Sequence, residues 1–461
     1  MFVMEGNVFR GGRIQHLCVA VEDGRIKAVK KSLSLRDAVH IDFGDKLILP
    51  AGIDIHVHLR DPGFTNKEDF STGTMSAAFG GIGTVIDMPN TRPPTVSPHD
   101  ALEKNNIASK KAYVDFGLNA VLLPDTDVSA VSSTRTISGF KLFLSSTTAT
   151  DKLAFSDTSV LHRKLAEAGH VKFPICAHCE DERLFKKVGG KTSGRREHGF
   201  QEASDAEKYL AQRPPESESE SVKTFLNNTI SGQKAHICHV SSSQTVSVIA
   251  EHRKSHKNNA ISCEVTPHHL FLTVKSGIPG GFGKVNPPLR TDDDRASLWK
   301  ALNNGEIDII ASDHAPHTAD EKRDFREAPA GIPGIETMYP LMLYQVKKGM
   351  IELARLVNAI CEKPASLFGL NKGQIEPGMD ADIIVIDQRS TKRIHFDMLH
   401  SRCGWTPYEK MEAMFPVFVT VRGETVIDNG ELIGRKGWGR NVASTTSGKM
   451  GGLPETWNRY Q

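Results

Sequence analysis

From residue 50 onward the chain alternates short apolar runs with polar loops and amphipathic stretches. Apolar runs fall at 51–59, 83–88, 113–122, 139–144, 172–178, 234–240, 260–265 and 307–312. Each is short and bounded by turn residues, so each reads as a buried strand. Glu202 to Gln212, Ser221 to Ile230 and Ser243 to His252 carry helical spacing between them, and a last helix is expected at roughly 351–362. Eight strands in β/α order predict an α/β protein built on a (β/α)8 TIM-like barrel, with an open doubly wound sheet as the second choice.

The two ends read differently. Residues 2–48 are β-rich, with turns expected at Glu22-Asp-Gly24 and Asp42-Phe-Gly44. β character returns late, with a turn and strand in Gly373 to Ile386 and a hairpin pattern in Val417 to Asn429. We expect the two ends to meet in a small flanking β domain, 1–49 and 366–461, around a barrel of residues 50–365. The Glu216-Ser-Glu-Ser-Glu-Ser221 run suits a solvated helix N-terminus. The Gly/Lys/Ser-rich tail from Gly434 reads as a loosely packed extension.

Polar groups at the C-terminal ends of barrel strands converge on one site. The first strand ends in His56-x-His58, two residues apart and therefore on one face, followed by Arg60. Later strand ends supply Asn90, Lys141, His178, His239, and Asp313 with His317. His56, His58, His178 and His239 with the Asp313 carboxylate on one rim have the composition of a metal centre. Lys141, set among apolar neighbours, must pair, snorkel or lose its charge. A neutral lysine amine also adds CO2, and the resulting carbamate can bridge two cations about 3.5–4 Å apart. Cys176 and Cys179, three apart on a strand, face opposite sides and read as packing residues, and His268-His269 as strand-end groups behind the site.

Bulk properties narrow the function. Hydrophobic residues at 39% and charged residues at 24% are ordinary globular usage, which argues against disorder. A net charge of +2, with no basic cluster among aromatics, gives no support for a nucleic-acid partner. No apolar run approaches the ~18 residues of a membrane span, and no signal-peptide pattern opens the chain. Seven scattered cysteines form no disulfide framework, so a cytoplasmic location is expected.

Four segments carry a resemblance: Asp54-x-His-x-His-Leu-Arg-Asp-Pro-Gly63, Met88-Pro-Asn-Thr-Arg-Pro93, Cys263-Glu-Val-Thr-Pro-His-His-Leu270 and Ala311-Ser-Asp-His-Ala-Pro-His317. Together they resemble the dihydroorotases of the amidohydrolase superfamily, over nearly the whole chain. The resemblance implies two Zn2+ held by His56, His58, carbamylated Lys141, His178, His239 and Asp313. It implies substrate contacts from Arg60, Asn90, Asn286 and His317, with backbone groups of Ala330 and Gly331. The implied reaction is reversible closure of N-carbamoyl-L-aspartate to L-dihydroorotate in pyrimidine biosynthesis. A hydroxide shared by the two metals attacks, and Asp313 is general acid and base.

Lysine at 141, where many bacterial relatives carry aspartate, is similar to the domain of animal multifunctional pyrimidine enzymes. Those relatives imply a closing loop at Thr147 and a third metal on Cys238 and Glu264 with the first histidine. A regular strand would point Cys238 away from His239, so a core thiol is the default expectation there. Homodimers or association with aspartate transcarbamoylase are the implied assemblies. Two other functions compete: another cyclic-amide hydrolase (allantoinase or dihydropyrimidinase), and a catalytically inactive scaffold. Arg60 argues against the first, because a ring without a carboxylate leaves the guanidinium unpaired. The complete ligand set argues against the second.

Overall fold

The first forty-odd residues, rich in branched apolar side chains, form paired strands. In the computed structural model, which describes residues 1–461 except 34, 36–37, 147–152, 156, 186–202, 257–259 and 445–461, these are β1 (Phe2–Arg10), β2 (Arg13–Glu22), β3 (Arg25–Lys30) and β4 (Val39–Pro50). β1 pairs antiparallel with β2 and parallel with β4. The expected turn at Asp42-Phe-Gly44 is instead an irregularity inside β4. Gly44 takes φ +60°, its N–H donates to Asp42 Oδ1 at 2.7 Å, and the β1–β4 register shifts between Glu5 and Asn7. A left-handed glycine kinks the strand without reversing it.

Past Pro50 the chain runs into the barrel: β5 (Gly52–Val57), β6 (Ile82–Asp87), β7 (Asp115–Val121), β8 (Gly139–Phe143), β9 (Ile175–His178), β10 (Lys234–Ile237), β11 (Ala260–Val265) and β12 (Ile309–Ile310). Each lies parallel to the next in chain order. All eight apolar runs therefore become strands. The ring is drawn together by a parallel bridge between Val57 and His314, with His58 N–H donating to His314 O at 2.7 Å. Helices Phe70–Phe79, Pro98–Lys111, Ser243–Ser255 and Asp292–Asn303 begin at polar caps, Asp69, Ser97, Ser242 and Thr291, each accepting a first-turn N–H.

After the barrel, β13 (Ile383–Ile386) pairs antiparallel with β4, and β14 (Lys392–Arg393) with β15 (Glu412–Ala413) form a small separate ribbon. β16 (Pro416–Val421), β17 (Glu424–Asp428) and β18 (Glu431–Leu432) complete a second eight-stranded sheet in the order β18-β17-β16-β13-β4-β1-β2-β3. Both chain ends thus share one flanking sheet.

Two expectations about surface segments change. The acidic serine run lies in helix Pro215–Asn227, but Ser217, Glu218, Ser219 and Ser221 are buried. Glu218 accepts Ser241 N–H at 2.8 Å and pairs with Arg290 at 3.4 Å, so the polar face meets an internal ion network rather than water. Nor is the stretch from Gly434 to Ser444 loose. Gly437 and Gly439 donate to Ala112 O, Trp438 Nε1 to Val421 O, and Arg440 N–H to Asp115 Oδ1. The rest of the tail lies outside the described residues.

A buried charge cluster joins the barrel to the flanking sheet. Lys372 Nζ lies 2.8 Å from Asp115 Oδ2 and contacts Asp382, and Arg422 Nε lies 3.0 Å from Asp115. Removing one member leaves an uncompensated buried charge. Asp115→Ala is therefore expected to cost about 3–5 kcal/mol, read as a lower urea midpoint. All seven cysteines are free and buried. No described helix is long and apolar enough to cross a membrane.

Candidate active site

A cavity opens at the C-terminal ends of the barrel strands. His56, His58, Lys141, His178, His239 and Asp313 line it, having come from β5, β8, β9 and the loops after β5, β10 and β12. Arg60, Asn90, Asn286, Ala330 and Gly331 complete its polar wall. His317 stands one step back, with Nε2 3.0 Å from Arg60 and 3.2 Å from Ala330 O, and Nδ1 3.1 Å from Lys67 Nζ. Thr147 lies outside the described residues.

Three strand-end residues take left-handed backbone conformations: Arg60 at φ +62°, His239 at +38° and Asp313 at +46°. Such φ values are costly for residues with a Cβ and tend to persist where a site requires them. The consequence at His239 is specific. A regular strand would alternate Cys238 and His239, but the twist lets both reach inward, and Cys238 Sγ lies 3.0 Å from Lys141 Nζ. Cys238 is the buried core thiol expected, packed with Ile53, Ile55, Ile86 and Cys176, but it is not turned away from Lys141. Gly331, at φ +136°, allows a close approach that a side chain would block, since a Cβ there would meet Ala315 O at 2.6 Å.

Hydrogen bonding decides where the lone pairs point. His56 Nδ1 faces Glu264 Oε1 at 2.5 Å, and His58 Nδ1 faces Asn90 Oδ1 at 2.6 Å. A neutral imidazole has one N–H. With that proton spent at Nδ1, both Nε2 lone pairs turn to Asp313 Oδ1, at 3.3 and 3.2 Å. Two lone pairs and a carboxylate oxygen repel one another unless a cation lies between them. His178 repeats the arrangement: Nε2 faces Glu180 at 3.2 Å, leaving Nδ1 toward His239 Nε2 at 2.9 Å. His239 Nδ1 is buried without a hydrogen-bond partner. Ligand atoms of His56, His239 and Asp313 lie within 4.8 Å of one another, as do those of His56, Cys238 and Glu264.

The electrostatics match that donor set. Burial pushes His58 down to about 4 and also lowers His178 and His239, so all three are neutral ligands at pH 7. Lys141 departs from the neutral amine its burial suggests. Desolvation lowers it, but Cys238 and Glu264 pull it upward, and the net direction is up.

The profile of the amidohydrolase family matches residues 47–426. The chain belongs to the amidohydrolase family. Among curated members, the dihydroorotase of Methanosarcina mazei is 36% identical, over 96% of this chain and 97% of its own. That of Methanosarcina acetivorans is 38% identical over 88% of each. Among solved amidohydrolase structures, L-hydantoinase (dihydropyrimidinase) from Arthrobacter aurescens superposes with a TM-score of 0.87 at 29% identity. That match covers 96% of this chain and 100% of the other.

Sequence reasoning missed several supporting groups of this amidohydrolase site. Glu180, held by Arg213 at 2.6 and 3.0 Å, orients His178. It sits two residues after His178, so strand periodicity alone pointed to it. Tyr209, on helix Asp205–Gln212, donates its hydroxyl to Asn286 Oδ1, which leaves the Asn286 amide N–H groups for the cavity. No local pattern marks that tyrosine. His236 Nε2 lies 2.9 Å from Glu264 Oε2 and braces the carboxylate behind His56.

Proposed function

We propose that this amidohydrolase is a dihydroorotase, interconverting N-carbamoyl-L-aspartate and L-dihydroorotate. One observation carries the choice of substrate: Arg60 is a buried guanidinium whose only hydrogen-bond contacts among the described residues are Pro316 O at 3.1 Å and His317 at 3.0 Å. Burial pushes it down to about 10, which leaves it cationic at neutral pH. A buried cation beside an open cavity calls for an anion, and a ring carboxylate fits a planar guanidinium. Asn90, whose carbonyl oxygen is committed to His58, offers its amide N–H groups to the same wall.

In this proposal His56, His58, His178, His239 and Asp313, together with Lys141 in its carbamylated form, would hold two divalent cations. Zinc suits the nitrogen and oxygen donors. Bound cations would supply Lewis acidity, activating water and polarising the ring amide carbonyl. The remaining steps belong to the chain. Arg60, Asn90 and Asn286 orient the ring through its acceptor atoms. Asp313, at the cavity rim, takes the proton from the attacking water and returns it to the departing ring nitrogen. The reverse sequence closes the ring with loss of water.

Metal-replete protein is expected to turn over L-dihydroorotate in preference to dihydrouracil and allantoin. Dialysis against a chelator should abolish turnover. Because carbamylation needs a neutral Lys141, recovery should require a divalent cation and bicarbonate together. Preference for a carboxylate-free ring would instead place the chain with the hydantoinases.

A further inference from the structure

Lys322 lies outside the cavity, in the short helical turn Asp320–Lys322, and its side chain is fully buried. Its Nζ donates to three carbonyl oxygens, those of Pro329 and Gly331 at 2.8 Å and that of Lys284 at 3.2 Å. An ammonium carries three N–H donors and no acceptor, so donors and acceptors match one for one. The three carbonyls come from two separate segments, and both supply the cavity wall, Val285 and Asn286 from one and Ala330 and Gly331 from the other.

The backbone reinforces this junction. Gly331 N–H donates to Lys284 O at 2.9 Å, and Gly281 N–H donates to Lys322 O at 2.8 Å. Nζ also lies 5.8 Å from the Trp405 ring centroid, and Trp405 Nε1 donates to His317 O at 2.7 Å, behind Arg60. Burial, with Lys284 and Arg60 nearby, pushes Lys322 down to about 7, Glu321 opposing. A cation held in so unfavourable a place is costly for packing alone.

We propose that Lys322 is a positioning residue for substrate binding, its ammonium clamping segments 284–286 and 329–331 at the spacing that Asn286 and the Ala330–Gly331 backbone need to grip the ring. It touches neither substrate nor reacting atoms. The histidines, Lys141 and Asp313 hang from other strand ends, so loosening the clamp weakens binding and leaves the chemical step in place. The substrate part of this inference rests on the dihydroorotase reading; the clamp itself does not.

The test is Lys322→Met in the full-length metal-loaded protein, with two readouts. The KM for L-dihydroorotate is expected to rise about tenfold, the loss of roughly one well-made charged hydrogen bond, while kcat and bound metal change less than threefold. Amide hydrogen exchange in peptides covering 281–290 and 326–334 is expected to speed up at least about tenfold, with β5 and β6 unchanged. Should Lys322→Met fail to fold, Lys322→Arg serves, because a planar guanidinium keeps the charge but cannot direct three N–H groups from one atom. An unchanged KM in active variant protein overturns the proposal, and so does unchanged exchange in either peptide. If wild-type protein does not turn over dihydroorotate, the functional reading has failed, and the exchange experiment alone decides the clamp.

Discussion

Lys141→Ala is expected to lower turnover of L-dihydroorotate by a factor on the order of 10³ or more and to lose at least one bound metal. The side chain is buried on β8 with Nζ 3.0 Å from Cys238 Sγ, and it lines the same cavity as the four histidines. Alanine removes the group that would join the two proposed ligand clusters. The loss of several kcal/mol of transition-state stabilisation translates directly into that factor. Elemental analysis and steady-state kinetics on one preparation check it. Short carboxylic acids added to the variant, filling the vacated space, should restore part of the rate. Full metal content with turnover within tenfold of wild type would sink the bridging role.

The second large effect concerns selectivity. Arg60→Met is expected to cost about 3–4 kcal/mol in kcat/KM for dihydroorotate, or roughly 10²–10³-fold. Turnover of dihydrouracil, which lacks the carboxylate, should change by less than tenfold. The asymmetry follows from what each substrate leaves unpaired. Without Arg60, the ring carboxylate loses its guanidinium partner; without the carboxylate, the guanidinium is what lacks one. Equal losses on both rings would mean that Arg60 acts by holding His317 and the Pro316 carbonyl rather than by binding substrate.

Much of the barrel and of its rim was legible along the chain. The eight apolar runs were each long enough for one strand and separated by stretches long enough for a crossover. His56 and His58 shared a face by simple alternation. Elsewhere alternation misled. It turned Cys238 away from the site, whereas the left-handed backbone at His239 brings both residues in. Local polarity misled in the same manner at Glu218, a surface residue by composition that is only 2% exposed because Arg290 and Ser241 meet it. Gly44 looked like a turn because glycine marks both turns and bulges, and only pairing with β1 distinguishes them.

The sequence by itself determined the order of strands and helices, the residue types at the strand ends, and the donor atoms available for a metal. These depend on short-range spacing, which one chain segment carries alone. Only the tertiary structure decided which nitrogen of His56 and His58 faces the cavity, because Glu264 and Asn90 come from other strands and take the opposing N–H. It likewise decided that Arg60 has no carboxylate partner among the described residues and that Lys322 joins two distant loops. Those outcomes depend on groups far apart in sequence meeting within 3 Å or so, the reach of a hydrogen bond, and barrel closure is what brings them together.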